Sequence, residues 1–431
     1  MDIAFIFTEF PSGQVSNSTR VFSFLEMGYN VTVYANTCGN KHLSYEVRNK
    51  YPNLDIIYFQ KHKGYLLIKE FLKDFFIAPR ISLKRWQKAF NKELFFIFYL
   101  KKILGGRGLK NDSVTLQKRR NAPISYLRLK QLENKNHDFF ICFFGPTGLN
   151  FLFLKELYPK ALFCTYFVGF DYSSRLSQYG STAIYKQLFS MSDIIFAKST
   201  FSQQTLVEIG CNEEKIILDY NGINLNKFEH CTPKVQTNET VKFIIVSRLI
   251  AKKSHILILK AFIRIISINK NFKFTIVGEG PLREKIEEFI KKNPELFKRV
   301  ELIGNISQEE VVSLLRLHHV FIHPSTTSIP FGDKEDTPTA ILEAMAIGLP
   351  IISTFHAGIP DLVKNNENGI LVPERNIDYL VDAINYFLNY PEKINQFGNN
   401  SRKIAEEKFD TGQNCLRLVK ILKENQKKIA Q

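Results

Sequence analysis

Short apolar runs recur along the chain at intervals that leave room for one helix between each pair. Residues 3–7, 31–35, 139–144, 162–167, 194–197 and 216–218 each read as a strand buried on both faces. Pro11-Ser12-Gly13 ends the first run and opens a helix that stops at Gly28. A polar, weakly periodic stretch containing Pro233 interrupts the rhythm, which restarts at Lys242 with runs at 243–247, 272–277, 300–303, 320–323, 351–353 and 370–372. Such alternation predicts an α/β chain with two doubly wound, Rossmann-like parallel sheets. The expected division is a first domain over 1–224, a linker over 225–240, a second domain over 241–410 and a basic terminal helix over 411–431.

At 431 residues, 45% hydrophobic and 23% charged, the chain has material for two ordinary globular cores. Its six cysteines show no C-x-x-C spacing, which argues against a zinc site or a disulfide framework. The N-terminus lacks a basic signal region, so a cytoplasmic, non-integral protein is expected. The net charge of +16 is concentrated: residues 61–130 hold 18 Lys/Arg against 4 Asp/Glu, interleaved with aromatics such as Phe71, Trp86 and Phe95. This pattern suits docking on the anionic inner face of a membrane. A solvated lysine-rich face is the alternative, and no nucleic-acid module is recognisable.

Chemistry gathers in residues 330–350. Thr337 suits a helix N-cap and Pro338 the first helical position, with an end near Gly348 ahead of Pro350. The free amides of Thr337 to Thr339 and the helix dipole would favour a phosphate. Glu335 and Glu343 flank that point, and carboxylates accept strongly from sugar hydroxyls; two glutamates eight apart also occur on plain solvated helix faces. Arg248 and Lys253 follow directly on the strand at 243–247, at the carboxyl edge where open α/β sheets bind ligands. A guanidinium and an ammonium there could stabilise a departing diphosphate without a metal, and no Asp-x-Asp occurs, so no essential divalent ion is expected. Gly13, after the first strand, could let a ligand approach the backbone, or form a plain turn.

The spacing Glu335-x7-Glu343 followed by Ala344-Met345-Ala346, with Arg248-x4-Lys253, Val277-Gly278-Glu279-Gly280 and His356-Ala357-Gly358-Ile359-Pro360-Asp361, resembles the retaining glycosyltransferases of family four. Pro324-Ser325 and Phe144-Gly145-Pro146 are similar to the bacterial exopolysaccharide, colanic-acid type. The resemblance implies two Rossmann-like domains facing across a cleft (GT-B), with the last helix crossing back to the first. It implies Arg248, Lys253 and Glu335 in catalysis, with Glu335 on the donor sugar, Glu343 on the ribose, Thr337 and Thr339 on the diphosphate and Ile306 beside the base. The donor would be a nucleotide-sugar, UDP- or GDP-linked, with no other cofactor, and the acceptor a lipid-linked saccharide.

Several positions depart from the family pattern. Ser247, Ser254 and Asp336 stand where glycine is usual, and Asp336 would bring negative charge beside the phosphates. Phe143 and Val168 stand where the family carries histidines, whereas Asp171 is kept and could orient an acceptor hydroxyl. A catalytically weakened nucleotide- or glycan-binding homologue acting as an assembly partner therefore stays open, and a nucleotide-sugar epimerase is a third reading.

Overall fold

The computed structural model describes residues 1–11, 15–59, 132, 136–174, 176, 182–231, 235, 239–269, 271–329 and 332–430. Gly13 and the basic aromatic stretch 61–130 lie outside the described residues.

Strands β1 (Asp2–Glu9), β2 (Asn30–Thr37), β3 (Leu54–Tyr58), β4 (Phe139–Phe143), β5 (Leu162–Tyr166), β6 (Ile194–Ala197) and β7 (Ile216–Leu218) form one sheet in the order β3-β2-β1-β4-β5-β6-β7. Strands β8 (Val241–Val246), β9 (Phe272–Val277), β10 (Val300–Ile303), β11 (Val320–His323), β12 (Ile351–Thr354) and β13 (Gly369–Val372) form a second, ordered β10-β9-β8-β11-β12-β13. All pairings in both sheets are parallel. Strand β3 escapes the apolar-run reading because it is an edge strand, half exposed and interrupted by Asp55.

Period-two alternation sends Ile3, Phe5 and Phe7 into one core and Ala4 and Ile6 into another on the opposite face, so β1 must be apolar throughout. On the first face the register aligns Phe143 with Tyr166 and Tyr166 with Phe196. Phe7, Phe143, Tyr166 and Phe196 then stack in a row, with centroids 4.6, 4.7 and 4.4 Å apart. Phe143 is thus core, 2% exposed, and does not face a ligand.

The chain order reverses between β1 and β4 in the first sheet and between β8 and β11 in the second. In open α/β sheets the crevice at the carboxyl ends beside such a reversal is where ligands bind. The chain passes from the first sheet to the second after β7 and returns near Asp410, where the two passages touch. Ile223 N–H donates to the Phe409 carbonyl at 2.7 Å and Thr411 N–H to the Ile223 carbonyl at 3.0 Å. Helix Thr411–Ala430 then lays Cys415, Leu418, Val419 and Leu422 onto the first-domain core beside helix Val15–Glu26. Among the described residues no helix is long and apolar enough to cross a membrane.

Candidate functional site

The loop after β8 is held from behind by the turn after β9. Gly278, at φ 135°, lies so close that a Cβ would stand 2.0 Å from the Ser247 carbonyl, and Leu249 N–H donates to the Glu279 carbonyl at 2.8 Å. The loop closes with Ser254 at φ 58°, left-handed, a conformation that glycine adopts more readily than serine. This geometry exposes Arg248 and buries Lys253.

Lys253 is the hub of a network that spans both sides of the β8/β11 reversal. Its Nζ donates to Glu335 Oε1 and, at 3.0 Å, to His323 Nε2 at the end of β11. Ser325 Oγ donates to Glu335 Oε2. Burial opposes the charge on Glu335, but Lys253 and then His323 outweigh it and hold the carboxyl well below the usual range. Burial, then Lys253, pushes His323 down to about 4, so it is neutral at pH 7.

The Glu335 backbone is held as well. Its N–H donates to His356 Nε2 at 2.9 Å, and His356 Nδ1 donates to Glu374 Oε1 at 2.6 Å. Glu374 in turn accepts from the Thr327 N–H at 2.8 Å. These bonds fix one tautomer of His356 and pin the residue that carries the carboxylate. The sequence does not single out His323 or Glu374, and it brings in His356 and Ser325 only within the motifs that carry the resemblance. The signal was positional: His323 ends β11 and His356 follows β12, on the same carboxyl edge as Arg248.

The helix runs Thr339–Ile347, with Pro338 at its cap position and Gly348 closing it at φ 104°. It starts later than the expected Thr337 cap because the Thr337 hydroxyl is engaged elsewhere, accepting from Asn221 Nδ2 at 2.9 Å. The first helical amides, Thr339 and Ala340, have no i−4 partner within the helix. The helix is otherwise core, burying Ile341, Leu342 and Ala344 to Ile347. Glu343 is half-buried and accepts from Gln308 Nε2 at 2.7 Å. Burial pushes its carboxyl up to about 7, against the Gln308 hydrogen bond. Ile306, half-buried, packs on the same large apolar cluster as Ala340.

Two expected contacts are redirected. Asp336 does not face the phosphates: its carboxylate crosses to the first domain, accepting from Tyr172 Oη at 2.8 Å and from Ser199 Oγ. Burial raises it to about 6, against those hydroxyls. Asp171 is 1% exposed and accepts from the Gly145 and Val168 amides, each at 3.1 Å, so it holds its own loop rather than an acceptor. Val168, half-buried, stays next to the boundary, since its neighbour Gly169 packs against the Lys334 carbonyl.

Residues 230–404 match the family described as glycosyl transferases group 1. The chain is 34% identical over 253 residues to a putative colanic acid biosynthesis glycosyltransferase, WcaL, of Salmonella typhimurium; the match covers 58% of this chain and 61% of the relative. It is 28% identical over 384 residues to the amylovoran biosynthesis glycosyltransferase AmsK of Erwinia amylovora, covering 87% of each. Among solved structures, Anabaena HepE in complex with UDP superposes with a TM-score of 0.67 at 15% identity, over 98% of this chain and 100% of that one. The pairing of two parallel sheets, the matched second domain and these likenesses converge: the chain carries a glycosyl transferases group 1 domain, residues 230–404, within a GT-B fold.

Proposed function

We propose that the protein moves a sugar from a nucleotide-sugar to a lipid-linked saccharide in cell-surface polysaccharide synthesis, with retention of anomeric configuration and no metal. The observation that carries this reading is Glu335, ionised and fixed by Lys253, Ser325 and His356 at the sheet reversal, beside an exposed guanidinium and a free helix N-terminus. Support for the substrate class comes from the relatives' roles in colanic acid and amylovoran biosynthesis and from the UDP held by HepE.

In this reading Arg248, Lys253 and the amides of Thr339 and Ala340 meet the charge that grows on the diphosphate as its bond to the sugar breaks. The acceptor hydroxyl joins the anomeric carbon on the same face, and its proton passes to the departing diphosphate oxygen. Glu335 holds the donor sugar's hydroxyls and Glu343 those of the ribose. The acceptor would sit against the first domain, and residues 61–130 would hold the protein on an anionic inner membrane face.

The test is release of nucleoside diphosphate from a panel of UDP- and GDP-sugars, with acceptor in anionic or neutral vesicles and with chelator present. Chelator-resistant release that needs the acceptor, runs faster on anionic vesicles and gives a retained linkage is expected. Binding without turnover across the panel would favour a non-catalytic assembly partner instead.

A pH dependence follows from Glu343. A ribose hydroxyl donates to the ionised carboxylate, so binding needs the proton removed, and affinity is lost as pH falls through about 7. Nucleotide affinity should weaken about tenfold from pH 8 to pH 6, as one proton is taken up. Glu343→Gln should flatten the profile in calorimetric titration; a slope that survives the substitution would remove Glu343 from the ribose.

A further inference from the structure

Adjacent residues of one loop are held by opposite domains. Glu335 is fixed within the second domain by Lys253, Ser325 and His356, whereas Asp336 reaches Tyr172 and Ser199 of the first. Ser199 is the N-cap of helix Thr200–Glu208, and a second carboxylate from the other domain lands on the same helix end. Asp361 accepts from the Thr200 N–H at 2.6 Å and from its hydroxyl at 2.7 Å. Two carboxylates on one helix N-terminus are favourably placed against its dipole. The approach is close: a Cβ on Gly358 would stand 2.5 Å from the Asp336 carbonyl and 2.7 Å from Ser199 Cβ. Buried Lys198 lies beside Asp336 as well, balancing its charge together with that of Asp219.

We propose that Asp336 is a positioning residue: by tying the Glu335 loop to Tyr172 and Ser199, it makes closure of the two domains and placement of Glu335 a single event. The proposal rests on the transferase reading above for its consequence and on the contacts alone for its geometry. One peptide bond separates Glu335 from Asp336, so a shift of the first domain pulls on the same loop that the second-domain bonds of Glu335 hold. A glycine at this position would have no side chain to make the tie.

The experiment compares wild type, Asp336→Ala, Asp336→Asn, Tyr172→Phe and the Asp336→Ala/Tyr172→Phe double variant. Readouts are small-angle scattering without ligand, titration with UDP and with GDP, and turnover at saturating donor and acceptor. Asp336→Ala should enlarge the radius of gyration and lower kcat by about 10- to 100-fold, the scale of a misplaced catalytic group, with nucleotide affinity within about twofold of wild type. Tyr172→Phe should move both readouts the same way by less, the double variant should be no worse than Asp336→Ala, and Asp336→Asn, which keeps one acceptor, should recover part of the loss. An unchanged radius, additive effects, or nucleotide affinity falling as far as kcat would each overturn the proposal. Should Asp336→Ala fail to fold, Tyr172→Phe still decides it, because it leaves the loop untouched. If wild type turns over no donor, the transferase reading fails while scattering still tests the tie.

Discussion

Arg248→Ala is expected to lower turnover by about 10²- to 10³-fold while leaving the melting temperature close to wild type. The two halves of this expectation have different origins. Arg248 is exposed and makes no ion pair among the described residues, so removing it breaks nothing that holds the fold, and a surface change of this kind stays within about 0.5 kcal/mol. Yet it stands close enough to Lys253 to press against its charge, at the edge where a diphosphate would gather negative charge. Steady-state release of nucleoside diphosphate beside thermal unfolding checks both halves; a loss of stability matching the loss of activity would mean that Arg248 is structural.

Glu335→Gln should show the opposite balance, with large effects on both. The Lys253 side chain is 9% exposed and that of Glu335 15%, so the substitution leaves an ammonium in a site built to neutralise it. Breaking such a buried pair from one side costs about 3–5 kcal/mol. Turnover should also fall by at least about 10²-fold as the sugar loses its fixed acceptor. The double variant Glu335→Gln/Lys253→Met removes both charges and should regain much of the stability but none of the activity. Denaturant unfolding of the singles and the double closes this cycle. Additive stability losses would show that the two residues are not energetically coupled.

The fold class was legible because a parallel strand buried on both faces has to be apolar along its whole length. Runs such as 194–197 therefore stand out without any knowledge of their neighbours, and β3 is missed for the converse reason: an edge strand can carry Asp55. Arg248, Lys253, Glu335 and Glu343 could be singled out because each lies beside a recognisable strand end or helix start. Their partners could not. That Lys253 meets His323 across 70 residues depends on β8 and β11 being neighbours, a matter of sheet order that local periodicity does not encode. The direction of Asp336 was hidden more deeply, since its partners Tyr172 and Ser199 lie 164 and 137 residues away in the other domain. Whether Phe143 faces the cleft or the core is likewise a question of the stack it joins, and Phe7, Tyr166 and Phe196 answer it.

The touching passages at Ile223 and Asp410 limit how the protein can move. A body hung from one strand can swivel about three axes, but one hung from two strands laced together turns easily only about the line that runs through both. Hydrogen bonds on either side of Ile223, and Gly222 packed so tightly on Thr411 that a Cβ would stand 2.7 Å from its hydroxyl oxygen, tie the passages into one such line. Sliding or twisting one domain past the other would tear that lacing, whereas swinging it open would not. The lacing favours a hinge over a slide, and the helix that follows Asp410 fixes that pivot to the first domain.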